Sequence, residues 1–471
     1  MEAITKLYVN MGERIIQNLE SNKIRHRTKV SPGLWIGPLM GFCATSTLLY
    51  EDHSYSEICL LEGLTGIGLI ISCFILYILL STNNVVVKDF QVVYFLPCIV
   101  TSTLYLLVAN KGLLVSVAWG SSVGSLSTWG VVQVMSQFPS CFTVGEATAV
   151  THGLVLFLLS AATNIPLRYH LPPIHNNDIA TVILQVGILY VLSLCLVCKL
   201  FPRLRETKQF YAWIFVTSAL WLFPTLHSLL DRSPILWIFS YIFSKPSRIF
   251  LMTIWSICFL LSWCFIIHKL NLKTKATTSD RKVFHVLASI VFIAGLIWEP
   301  VLLYTASGAA FALLTMLELF RFLNIPPLGK ILHQGYAVFA DEKDEFVSLT
   351  PLYLLCGLSF PLWMPANDTA LLPLLSGVLT VGIGDAAASF VGSNWGKYKL
   401  NGSRKTMEGL IACITSQLVL IYILAGFGLI EDKRHLFRST FAVIGVSIVE
   451  TRTEQVDNLV MPLLMYLCLL L

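Results

Sequence analysis

The sequence predicts an all-α, polytopic integral membrane protein, on three observations. Of its 471 residues, 56% are hydrophobic and 13% charged, whereas a soluble globular domain carries about a quarter charged residues. Its mean hydropathy of +0.74 is above what one large water-soluble domain ordinarily reaches. Apolar runs of nearly the ~20 residues that cross a bilayer as a helix follow one another almost without pause. These runs lack the period-two alternation of barrel strands, and only helices and closed barrels satisfy the backbone in lipid.

In chain order, residues 1–32 alternate charge and apolarity without a long apolar stretch, so they are expected as a cytoplasmic or interfacial segment with no cleavable signal peptide. Spans are then expected near 33–50, 58–80, 90–109, 112–135, 144–165, 179–200, 210–230 and 235–267, the last as one helix or two. Further spans follow near 283–299, 301–320, 347–365, 369–391, 409–429, 438–449 and 459–471, for roughly 14–15 helices with no internal repeat. Residues 33–270 read as an N-terminal helical bundle with few ionisable groups. An exception is Glu146 in CFTVGEATAV, with His152 in the same run; a site and a hydrogen-bonded structural role are both open for it. The polar stretch KTKATTSDRK (273–282) marks the boundary with a C-terminal catalytic region, 271–471. The 12 cysteines lie mostly in apolar runs and read as core thiols; Cys195 and Cys198 form a C-x-x-C with no second pair or neighbouring histidine.

Charge sets the expected topology. The loop from His268 to Lys282 carries Lys269, Lys273, Lys275, Arg281 and Lys282, and the loop 396–408 carries Lys397, Lys399, Arg404 and Lys405. By the positive-inside rule both are cytoplasmic, and the four spans between them are the even number that requires. The same count puts the acidic run 341–345 (DEKDE) and Glu450–Asn458 on the cytoplasmic side, with the sequon Asn367-Asp368-Thr369 and Glu431-Asp432 in the lumen. A net charge of +5 is too small to argue for a nucleic acid polymer as partner.

The densest chemistry runs from Gly382 to Gly409, GIGDAAASFVGSNWGKYKLNGSRKTMEG. Asp385 lies inside an apolar run, where an uncompensated carboxylate is costly, so it needs a metal ion or a cation. Gly382, Gly384, Gly392 and Gly396 are expected to let backbone approach a ligand and expose amides. Ser403 or Thr406 can cap the next helix, whose exposed amides, flanked by Arg404 and Lys405, form an anion site. Glu408, three residues past Lys405, is expected on the same helical face. Such a set suits a nucleoside triphosphate with a divalent metal. Glycines that only pack helices and cations that only set topology are the plainer alternative. The spacing is not that of a Walker A loop or a protein kinase.

Three further clusters are expected on the same side. Arg281 and Lys282 with His285 open a span, where basic residues oppose the helix dipole unless an anion sits there. Glu318 and Arg321 are spaced to pair on one helix face, most simply as a structural ion pair. Glu450, Glu454, Asp457 and Asn458 are spaced as one helical stripe, for which metal ligation and solvation are both open.

Taken together, these motifs resemble the polyprenol kinase family. The residues that carry the resemblance are G-x-G-D-x-x-A-S-x-x-G-x-x-x-G from Gly382, K-T-x-E-G from Lys405, and Glu450 with Asp457, Asn458 and Pro462. Within that family of dolichol, phytol and CTP-dependent diacylglycerol kinases, R-K-x-F-H at 281–285, E-L-F-R at 318–321 and the acidic run 341–345 are most similar to the eukaryotic dolichol kinase branch. The match covers roughly residues 281–462, and Arg404 and Leu410-Ile411 depart from the pattern.

The resemblance implies CTP-dependent phosphorylation of dolichol, or a related polyisoprenoid alcohol, at the cytoplasmic face of the endoplasmic reticulum membrane. It implies that residues 382–409 bind CTP. The expected site is then as follows: Asp385, Glu408, Lys405, His285 and Asp457 act in transfer. Asp385, Glu408, Asp457 and Glu450 hold Mg2+. The glycines, Lys397, Ser403, Arg404, Thr406, Arg281 and Lys282 contact the nucleotide. The alternatives are another CTP-dependent lipid kinase, a cytidylyltransferase forming CDP-lipids, or a lipid transporter. A transporter typically shows paired halves and charge at the bilayer midplane, which this sequence lacks.

Overall fold

Threonine caps and early prolines set many of the helix starts. Thr143 and Thr277 each close a capping box, with Glu146 and Asp280, Thr406 and Ser233 cap by side chain, and proline opens several others. The computed structural model describes residues 2–28, 30–49, 56–82, 92–272, 274–340, 346–364, 370–400, 405–430 and 433–470. Ser403, Arg404, the acidic run 341–345, the sequon at 367–369 and Glu431-Asp432 lie outside them.

The helices are α1 (Glu2–Ser21), α2 (Leu39–Thr45), α3 (Ser56–Ser81), α4 (Leu96–Leu107), α5 (Leu113–Gln137), α6 (Val144–Arg168) and α7 (Asn176–Leu200). Next come α8 (Thr207–Thr217), α9 (Phe223–Leu230), α10 (Pro234–Phe243), α11 (Pro246–Leu272), α12 (Thr278–Trp298), α13 (Pro300–Phe322) and α14 (Leu328–Phe339). The chain ends with α15 (Thr350–Trp363), α16 (Leu371–Leu374), α17 (Asp385–Trp395), α18 (Met407–Gly426), α19 (Lys433–Arg452) and α20 (Asp457–Leu470). Among the described residues the only β pairing is one bridge, Lys399 to Thr406. The fold is therefore all-α, and the protein is a multi-pass membrane protein.

Among the described residues, eight helices are individually long and apolar enough to cross a membrane, counting α8 and α9 as one across a π turn at Ser218–Leu222. Several other expected spans are shorter or broken helices. The run 235–267 divides into α10 and α11, and the run 369–391 is interrupted by a π-helical stretch, Val378–Gly384.

The largest hydrophobic cluster joins the two ends of the chain. It packs Ile15, Leu19, Val131 and Phe142 with Phe292, Leu379, Val446 and Tyr466. A second cluster is built mainly from α7 and α9–α11, for example Ile179, Leu229, Trp237 and Leu251. The expected boundary at 270–280 falls between α11 and α12, but the main core crosses it. Around that core α12, α17 and the π stretch pack together, α18 packs on α17 and α19, and α15 packs on α20. This brings the start of α12, the start of α17, the loop before α18, the end of α19 and the start of α20 to one end of the bundle.

Candidate active site

Two lysine–carboxylate pairs form the centre of that end. Lys282, in the second turn of α12, donates to Oδ2 of Asp385, the first residue of α17, and both side chains are largely buried. Lys405, just before α18, donates to Oε1 of Glu450 at 2.9 Å and to its backbone carbonyl at 3.0 Å. Glu450 is 4% exposed, so without Lys405 its charge would be stranded in a nonpolar setting. Cys413 and Gln417 of α18 complete the environment: the Cys413 thiol lies 3.4 Å from Glu450 Oε2 and Gln417 donates to Ser447 at 3.1 Å.

Asp457, at the start of α20, joins the pairs electrostatically. With Glu450 it holds the Lys405 ammonium above its ordinary pKa, although burial pulls the other way. Lys282 likewise faces Asp385, Asp457 and Glu450. One turn on from Lys282, His285 places Nε2 3.6 Å from Asp385 Oδ2. Its Nδ1 lies 3.2 Å from the Arg281 carbonyl. A carbonyl only accepts, so that bond makes Nδ1 the donor and leaves a lone pair on Nε2 in the neutral ring. Among the described residues, Nε2 and the Asn458 Oδ1 are buried and have no hydrogen-bond partner, so each has bonding capacity left for a ligand.

The structure therefore brings together Lys282, His285, Asp385, Lys405, Glu450 and Asp457, and it corrects four expectations. Glu408 does not join them: it accepts from the Lys397 amide at 3.0 Å and the Tyr398 amide at 3.2 Å. Lys405 precedes the cap of α18 and so shares no helical face with Glu408, because helical geometry begins only after Thr406. Gly382 and Gly384 are not a phosphate cradle. Both are buried in the π stretch, where a Cβ would stand 2.1 Å from Ser289 Oγ and 2.6 Å from Gln417 Nε2 respectively, so their missing side chains let α12 and α18 approach Asp385. Gly396 and Gly392 make room in the same way for the Thr406 side chain.

The fourth correction concerns the stripe Glu450, Glu454, Asp457 and Asn458, which is not one helix. The chain breaks at 453–456, between α19 and α20, and Glu454 is exposed, because side chains from other elements hold the break. Two expectations appear as drawn: Thr406 caps α18 through Gly409 at 3.3 Å, and Glu318 and Arg321 form a two-bond pair at 2.8 and 2.5 Å.

The donor set is compatible with a magnesium ion. Asp385, Glu450 and Asp457 offer hard oxygens, and Asn458 Oδ1 is an unused acceptor. Among the described residues no three His, Cys, Asp or Glu side chains are grouped to enclose a metal. Magnesium commonly rests on one or two carboxylates with substrate phosphates completing its shell, and Asp385 and Asp457 suit that arrangement.

Glu146, for which the sequence left a site and a structural role both open, reaches this end through the Val456 amide, and its partner Arg27 was not read from the sequence. Glu146 is fully buried and pairs with Arg27 at 2.7 Å. The T-x-x-E signature at Thr143 is legible in sequence, but the partner 119 residues away is not.

The chain is similar to known proteins along much of its length. Residues 131–348 match the family model described as dolichol kinase. The chain is 32% identical to dolichol kinase of Homo sapiens over 358 residues, covering 71% of this chain and 65% of that protein. It is 31% identical to dolichol kinase EVAN of Arabidopsis thaliana over 425 residues, covering 80% of this chain and 73% of that one. To dolichol kinase of Saccharomyces cerevisiae it is 26% identical over 296 residues, covering 61% and 54%. The matched region thus spans 65% of the length of the human, mouse and bovine relatives. No solved structure matches.

Proposed function

The chain belongs to the dolichol kinase family, and from that premise we propose that it transfers the γ-phosphoryl group of CTP to the terminal hydroxyl of dolichol, giving dolichyl phosphate and CDP. The protein acts in the endoplasmic reticulum membrane, where its product carries sugars for N-glycosylation and mannosylation, and the polar end of the bundle faces the cytoplasm. The observation that carries this reading is the meeting of Lys282–Asp385 with Lys405–Glu450 beside Asp457 at one end of a membrane bundle. A soluble phosphate donor and a lipid hydroxyl can both reach such a place.

Phosphoryl transfer needs positioning and charge neutralisation more than covalent chemistry. Lys282 and Lys405 are compact point charges whose carboxylate partners hold them in place, and they neutralise the phosphate oxygens as charge shifts toward the leaving CDP. His285 Nε2, which carries a lone pair and has no hydrogen-bond partner among the described residues, takes the proton of the lipid hydroxyl as oxygen bonds to phosphorus. The Leu400 amide donates to the Lys405 carbonyl at 3.0 Å and the Met407 amide to the Tyr398 carbonyl at 2.8 Å, directly after Lys397; Lys397, with Ser403 and Arg404 outside the described residues, supplies the nucleotide contacts of this loop. Magnesium held by Asp385 and Asp457 would supply further neutralisation of the phosphates.

The test supplies membranes bearing the protein with dolichol, phytol or diacylglycerol and γ-labelled CTP or ATP. Label in dolichol from CTP is expected. Label in another lipid would redirect the substrate, release of pyrophosphate in place of CDP would indicate a cytidylyltransferase, and label in no lipid would reject the kinase reading.

A further inference from the structure

The break between α19 and α20 separates Glu450 from Asp457, so whatever fixes residues 453–456 fixes the spacing of two site carboxylates. That break is held by residues distant in sequence. Glu146 Oε1 accepts from the Val456 amide at 2.8 Å and from Arg27 Nη2 at 2.7 Å, while its Oε2 accepts from the Thr143 amide at 3.0 Å. Thr143 Oγ1 donates to Gln455 Oε1 at 2.7 Å, and Gln455 Nε2 donates to the Ser31 carbonyl at 2.8 Å. Gly33, at φ 65°, lies so close that a Cβ there would stand 2.6 Å from Gln455 Oε1. The Arg27 amide is itself tied to the Phe142 carbonyl at 2.9 Å.

A capping box requires only the bonds between Thr143 and Glu146. The bond to Val456 is additional, and it lands on the residue whose carbonyl starts α20 by accepting from Leu459 and Val460 at 3.1 Å. A carboxylate at 0% exposure is costly to keep charged unless its partners compensate, so the Arg27 pair is what lets Glu146 offer a charge-assisted, short bond there.

We infer that Arg27 and Glu146, with Gln455 as the link to Ser31 and Gly33, are positioning residues of the transfer site that set where Asp457 and Asn458 stand relative to Lys405 and Glu450. This inference rests on the kinase reading. Misplacement of a reacting group by about 1 Å costs on the order of 100-fold in rate, so disturbing the clamp affects turnover more than substrate affinity.

The test measures label transfer from CTP to dolichol, with kcat and KM separated, and the melting temperature of the solubilised full chain for wild type, Glu146→Gln, Arg27→Met, Arg27→Lys and Gly33→Ala. The clamp predicts that kcat of Glu146→Gln and Arg27→Met falls by about 10- to 100-fold, with KM for both substrates within about threefold. Arg27→Lys restores part of the loss, and Gly33→Ala, which would press on Gln455 and also strain a backbone at φ 65°, lowers both kcat and melting temperature. Wild-type kcat in Glu146→Gln would overturn the inference, as would kcat per folded molecule that stays constant while melting temperature falls. If the wild-type chain itself transfers no label, the kinase reading fails and takes the clamp with it.

Discussion

Two kinds of buried ion pair divide this molecule. Away from the polar end, Arg248 spends its guanidinium on Glu299 at 2.9 Å, the Tyr241 carbonyl at 2.8 Å and Ser244 at 2.6 Å, and Ser247 donates to the other Glu299 oxygen at 3.0 Å. Glu318 is similarly supplied by Arg321 and by the Ser348 amide at 2.9 Å. At the polar end the cations nearest Asp385 and Glu450 are lysines, with the Arg27–Glu146 pair behind them, and among the described residues His285 Nε2 and Asn458 Oδ1 have no hydrogen-bond partner. Arginine's planar fork saturates a carboxylate and locks geometry, whereas a lysine is a point charge that can be shared with an arriving phosphate. Saturated pairs therefore hold helices together, and the unsaturated end is where we propose that a ligand is received.

The sharpest break in that comparison comes from Lys282→Met. If Lys282 neutralises the transferring phosphoryl group, its removal lowers kcat/KM by about 10^3- to 10^5-fold, and melting temperature also falls because Asp385 is left buried and unpaired; a variant whose turnover per folded molecule is unchanged would place Lys282 with the structural pairs. Arg248→Met should lower stability alone. Leaving Glu299 buried and unpaired is expected to cost about 3–5 kcal/mol of stability, read as a lower melting temperature with unchanged turnover per folded molecule.

Smaller effects sharpen the account. Gly382→Ala puts a methyl group 2.1 Å from Ser289 Oγ and should cost about 1–3 kcal/mol by overpacking. Adding Ser289→Ala removes the hydroxyl but leaves its Cβ at 3.2 Å, so thermal stability should recover in part. Thr406→Ala removes the α18 cap and should cost about 1 kcal/mol, seen as a slightly lower melting temperature.

Helix runs, the Thr406 cap and the Glu318–Arg321 pair were legible in the sequence because each depends on local spacing or composition. Asp385, Lys282, Lys405 and Glu450 could be picked out because each is a charge placed against an apolar run. What could not be read is which charge meets which: Lys405 was expected to share a face with Glu408 and instead meets Glu450, 45 residues on. Arg27 and Glu146 show the same limit, since packing between distant helices leaves no spacing signal. The glycines near Asp385 misled for another reason: close approach to a ligand and close approach of a neighbouring helix ask for the same residue.

We propose that Asp385, held by Lys282 against α12, organises phosphoryl transfer at the polar end. Its most direct test is Asp385→Asn, which keeps the shape of the side chain and removes its charge, assayed for transfer from γ-labelled CTP to dolichol at matched amounts of membrane-inserted protein. Dolichol should remain unlabelled in the variant while the wild-type chain labels it; equal labelling by both would contradict that role for Asp385.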